Sequence, residues 1–157
     1  MPGKTADQWF GEYGESHQDA TNKLIHWICV PTIAACVIAF LWSMPVPAVM
    51  QGSPYLNWGT VLVAVAMLFY VRLSLPLAAG MLVFSLVVIS LIRTWERSTA
   101  IPVWQPALAL FVLAWIGQFI GHAIEGRRPS FFKDLQFLLI GPIWLLGFIY
   151  RRVGIRY

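Results

Sequence analysis

The chain is a series of long apolar runs separated by short polar breaks. Leu24 to Met44 carries no charge, and His26 is its one ionisable imidazole; Trp27 and Trp42 flank its centre. Pro45, Pro47 and Pro54 end it. A second run extends from Leu56 to Val71, Arg72 to Pro76 reads as a tight turn, and a third run covers Leu77 to Ile92. Residues 93–104 form a charged, proline-containing loop. The fourth run, Pro106 to Ile124, holds Gln118 and His122 at its far end, and a last run covers Leu135 to Tyr150 with Gly141-Pro142 at its centre. A bilayer core of ~30 Å needs about 20 helical residues. The first and fourth runs meet that length, the second and third fall slightly short, and the last suits a kinked or re-entrant helix. Residues 1–21 read as a polar, partly helical arm whose Trp9, Phe10 and Tyr13 are available to a membrane interface; it lacks the basic start and apolar core of a signal peptide.

The fold class that follows is all-α: a polytopic membrane bundle of four to five transmembrane or re-entrant helices. The single integral membrane domain, 1–157, divides into the arm (1–21), the bundle (22–150) and a basic tail (151–157). Composition agrees. Apolar and aromatic residues make up 59% of the 157 residues and charged residues 11%, too few charges to coat a water-soluble globule of this size. Disorder needs the opposite balance. The net charge of +4 does not point to nucleic acid, because the bases sit at the ends of apolar runs instead of forming one patch. Cys29 and Cys36, seven residues apart on one helix, are too far apart for a disulfide and read as packing thiols.

The loop at 44–55 has no charge, which assigns it to the translocated side. Alternation then puts the N-terminus, Arg72, Arg127, Arg128 and Lys133 on the cytoplasmic side, with Arg93 and Arg97 running against the rule. A last run that does not fully cross leaves four spans with both termini cytoplasmic. This topology brings all three histidines, His17, His26 and His122, to the cytoplasmic face. Gln118, His122 and Glu125 share one helical face, and Asn22 and His26 share another. His17 and His26 are half a turn out of phase on a straight helix, so they meet only if a helix begins between them, near Asp19 to Thr21, where capping residue types occur. Imidazoles with a carboxylate suit non-haem Fe(II), with Zn(II) the usual competitor. The plainer reading makes each histidine an interfacial polar residue, Glu125 a surface ion-pair partner and Gln118 a bond to a neighbouring helix. Ionisable groups in spans are costly and commonly functional, which favours the site.

The stretch His17-Gln-Asp-Ala-Thr-Asn22-Lys-Leu-Ile-His26-Trp-Ile-Cys-Val-Pro31 resembles the N-terminal motif of the 2-hydroxy fatty acid dioxygenase family. Trp115-Ile-Gly-Gln118-Phe-Ile-Gly121-His122, followed by Glu125-Gly-Arg127-Arg128-Pro129, is similar to its second motif. The resemblance runs from about Tyr13 to Tyr150. It implies Fe(2+)-dependent α-oxidation, in which a 2-hydroxy fatty acid and O2 yield a fatty acid one carbon shorter. It makes His17, His26 and His122 the expected metal ligands, and these with Glu125 the expected catalytic set. Two departures stand out: Gln18 replaces a second histidine of the fungal motif, and the spacing from His122 to Glu125 is one residue shorter. Glu125 is thus left as a ligand, an orienter of an imidazole, or a partner of Arg127. Arg127 and Arg128 are expected to fork the substrate carboxylate, with Gln118 and Asn22 also facing substrate and the acyl tail among the apolar spans. The membrane would be the inner membrane in a bacterium or the endoplasmic reticulum in a eukaryote. Two alternatives keep the site or abandon it: a zinc-dependent membrane lipid hydrolase, and a non-catalytic lipid-binding membrane protein. A haem protein with paired histidines is a further possibility. No sequence feature fixes the oligomeric state.

Overall fold

The computed structural model describes residues 4–15, 17–126 and 138–157. Among these there are six α-helices and no strand: α1 (Ala6–Gly14), α2 (Ala20–Trp42), α3 (Trp58–Leu73), α4 (Leu75–Ser98), α5 (Trp104–Glu125) and α6 (Ile140–Val153), with one 3-10 turn at Ala48–Met50. Three of them, α2, α4 and α5, are long and apolar enough to cross a membrane, while α3 is a shorter apolar helix. The 14 residues of α6 rise only about 21 Å.

Local chemistry sets the boundaries. Asp19 caps α2, its carboxylate accepting from the N–H groups of Thr21 and Asn22, and the helix then continues through Pro31 to Trp42. The break between α3 and α4 is smaller than the sequence suggests: Ser74 alone ends one helix and caps the next, with Pro76 in the first turn. The helix α4 also outlasts its apolar run. The expected loop at 93–104 is helical up to Ser98, because Arg93 and Glu96, one turn apart, pair at 2.7 Å, and Glu96 accepts from the Trp42 indole at 2.9 Å.

The hub is α2, which packs on α3, α4, α5 and α6. Its seam with α5 is the most extensive. On α5, Gly117 and Gly121 form a G-x-x-x-G pair: a Cβ at Gly117 would lie 2.7 Å from the Cys29 sulfur, and one at Gly121 would fall on the Asn22 amide. Small residues at this spacing let two helices approach closely in lipid. Both cysteines are free and buried, in keeping with a packing role.

The arm packs on the bundle. Phe10 and Tyr13 are buried in a core shared with α6, against Trp144 and Tyr157, and Thr5 fixes the start of α1 with a capping box. Large side chains such as Leu24, Val65, Leu68, Leu91 and Leu113 stand outward, each at least 60% exposed. An apolar exterior on this scale is what lipid covers.

Candidate metal centre

The three histidines come from three places in the chain. His26 lies in the second turn of α2, His122 in the last turn of α5, and His17 in the link between α1 and α2, just before the Asp19 cap. The cap at Asp19 starts a new helix between His17 and His26, which removes their half-turn mismatch. All three are buried, and one ring nitrogen of each lies within 4.8 Å of the others. The ring centres are 4.3 Å apart for His17 and His26, 5.4 Å for His17 and His122, and 5.2 Å for His26 and His122.

Hydrogen bonds fix the tautomers of two rings. His17 Nδ1 lies 2.7 Å from the Tyr13 carbonyl oxygen, and His26 Nδ1 lies 2.9 Å from that of Asn22. A carbonyl only accepts, so both Nδ1 atoms carry the proton and donate it. The two Nε2 atoms are then both acceptors, and they face one another at 2.9 Å. Two imidazole lone pairs at that distance need a cation between them. A proton is one choice, but burial holds His17 below its ordinary value of 6.5, against the charged form, and the neighbouring His122 adds to this. A metal ion is the other choice. Two ligand nitrogens each about 2.0–2.1 Å from one ion, and at a right angle, are themselves about 2.9 Å apart. Each imidazole that points Nε2 inward while giving its other N–H to a backbone oxygen has the outer support usual for a ligating histidine. The donor set therefore fits a metal ion, with the described Cys29 and Cys36 outside it.

The walls around the histidines are aromatic. Tyr13 stacks on His17 with ring centres 4.3 Å apart and 13° between planes, and Trp144 stands 5.6 Å from His17. A cavity of about 50 Å³ adjoins His26 and His122, lined by Tyr13, Val30, Ile33, Trp115, Gln118, Leu138 and Gly141. It is mostly apolar and large enough for one or two water-sized molecules. Gln118 is 7% exposed and makes no hydrogen bond among the described residues.

Glu125 is outside the group of ring nitrogens that lie within 4.8 Å of one another. Its carboxylate accepts from the N–H of Gln18 at 2.7 Å, the N–H of Asp19 at 3.0 Å and the Asn22 side-chain amide at 2.9 Å. Asn22 is fully buried. Its side chain serves Glu125 and its carbonyl serves His26, so the described structure gives it a supporting place at the site. Arg127 and Arg128 lie outside the described residues.

Sequence reasoning missed two features. Tyr13 is a wall of the site instead of an interface aromatic; its spacing of four from His17 was the available signal. The Gly117/Gly121 pair was legible as a close-packing motif within the second motif itself.

An all-helical membrane protein with a histidine centre buried at one end of its bundle is the class that fold and site define. Within that class, the family model described as 2-hydroxy-palmitic acid dioxygenase Mpo1-like matches residues 4–153, and the chain belongs to this dioxygenase family. It is 32% identical over 140 residues to 2-hydroxy-palmitic acid dioxygenase MPO1 of Saccharomyces cerevisiae, a match covering 87% of this chain and 74% of the yeast protein. No solved structure matches significantly.

Proposed function

We propose that this protein is a multi-pass membrane dioxygenase that converts 2-hydroxy fatty acids to fatty acids one carbon shorter, with Fe(II) held by His17, His26 and His122. The observation that carries the metal is the 2.9 Å approach of the His17 and His26 Nε2 atoms, both committed as acceptors by their Nδ1 bonds. His17, His26 and His122 would hold the ion, and a set of histidines that leaves positions open for substrate and O2 suits non-haem Fe(II), with Zn(II) the usual competitor. The substrate class comes from the kinship with the yeast enzyme.

The chemistry balances without an added reductant. R–CHOH–COOH and O2 give R–COOH, CO2 and H2O: carbon 2 loses three electrons, carbon 1 loses one, and O2 takes up all four. When bound, iron supplies the redox chemistry. The protein's part is placement. Two backbone carbonyls orient His17 and His26, and the apolar walls of Val30, Ile33, Trp115 and Leu138 keep the cavity dry and suit the first methylenes of the tail. Gln118 offers an amide to the substrate's hydroxyl or carboxylate, and Arg127 and Arg128, which follow Glu125 in the chain, offer a fork for the carboxylate. The charge pattern of the loops supports a site at the cytoplasmic face.

The test is mass spectrometry of the products of 2-hydroxypalmitate with Fe(II)-loaded protein in detergent or nanodiscs. A fifteen-carbon acid from the wild type, and none from His26→Ala or His122→Ala, is expected. Full activity in both variants overturns the reading.

A further inference from the structure

The Glu125 carboxylate is spent as an acceptor on the loop that carries His17. Its three donors are Gln18 N–H, Asp19 N–H and Asn22 Nδ2, at 2.7, 3.0 and 2.9 Å. The first two donors precede the first turn of α2, where no helical carbonyl can accept from them. Two of the donors, and Glu125 itself, are each tied to a histidine. Gln18 is the next residue after His17. Asn22 orients His26 through its backbone carbonyl. Glu125 itself stands one turn after His122 on α5. One carboxylate, one turn from His122, therefore bonds the residue next to His17 and the residue that orients His26, across more than one hundred residues of sequence. Three of the carboxylate's acceptor positions are thus committed to the backbone and side chain of this loop and helix start.

We propose that Glu125 is the positioning residue of the centre, a clamp that fastens the His17 loop and the start of α2 to the end of α5 and so sets the spacing of the three histidines before any ion binds. The proposal rests on the metal reading above for its effect on affinity. The clamp itself exists in the metal-free protein.

The test uses the full-length protein in nanodiscs. In metal-free wild type, amide hydrogen exchange should find the Gln18 and Asp19 N–H groups protected. Exchange at both should rise at least about 10-fold in Glu125→Gln, which keeps the size but turns one acceptor into a donor. Titrated with Co(II) as the probe, the variant should bind about 10- to 100-fold more weakly, with the visible absorption spectrum of the bound ion unchanged, because the ligands are the same. Trp42→Phe, which removes the indole bond to Glu96 at the other end of the bundle, should leave both readouts at wild-type values and so separates positioning from general loss of stability. Unprotected Gln18 and Asp19 amides in the wild type overturn the clamp, and this arm needs no variant to fold. An altered Co(II) spectrum with exchange unchanged also overturns it, by making Glu125 a ligand. If no variant and no wild-type protein binds metal, the proposed function fails while the exchange data still decide the clamp.

Discussion

The amide of Asn22 occupies the space where a side chain on Gly121 would stand. Asn22 is fully buried, one turn before His26 on α2, and Gly121 immediately precedes His122 on α5. A tight contact of the two helices thus lies beside two of the three histidines. Close packing in lipid and assembly of the site are one event on this seam.

Gly121→Ala should push Asn22 off both its contacts. The expected cost is about 1–3 kcal/mol of stability from overpacking, together with loss of metal affinity, read by thermal unfolding and metal titration. The neighbouring glycine provides a contrast. Gly117→Ala meets only a sulfur end and an isoleucine methyl, so Cys29→Ala added to it should restore most of the stability. The same second change should not rescue Gly121→Ala. Equal rescue of both would contradict this account of the seam.

Tyr13 should matter through its ring and its backbone before its hydroxyl. Its ring stacks on His17 and its carbonyl holds His17 Nδ1. Tyr13→Phe should keep metal affinity within a few-fold of wild type, whereas Tyr13→Leu removes the stack and the contact with Trp144. The loss expected from removing the aromatic pairing is about 0.5–1.5 kcal/mol beyond buried area. Metal titration of both variants checks the order.

Gln118→Leu should leave the fold and metal content intact, because the amide has no partner to lose among the described residues. Its effect should fall on substrate: kcat/KM for a 2-hydroxy acid is expected to drop by about 10- to 100-fold, the worth of one to two hydrogen bonds to a charged or hydroxyl group. Steady-state kinetics at fixed iron occupancy reads this directly, and unchanged kcat/KM would remove Gln118 from the substrate contacts.

The spans were legible because lipid imposes length and apolarity together, and α2 and α5 fall where their runs put them. The helix start at Asp19 was legible from its capping chemistry, and that start brings His17 and His26 together. Helix ends that depend on tertiary partners were not. The extension of α4 past Ile92 needs Glu96 to find both Arg93 and Trp42, and Trp42 is 54 residues away. The arm was misjudged for a similar reason. Phe10 and Tyr13 suit an interface or a core equally well, and only the position of α6 decides between them. Glu125 had three readings in the sequence, because a carboxylate near a histidine serves a metal, a ring or a backbone with the same residue type.

The central claim is that the histidine centre holds the iron that performs the oxidation. Its most direct test is anaerobic preparation of the metal-free protein, reconstitution in parallel with Fe(II), with Zn(II) or with none, and reaction with O2 and 2-hydroxypalmitate labelled with carbon-13 at carbon 1. One iron per chain, a fifteen-carbon acid and labelled CO2 from the iron form alone are the expected results. Equal product from the metal-free or zinc form, or a product that retains the label, would contradict the account.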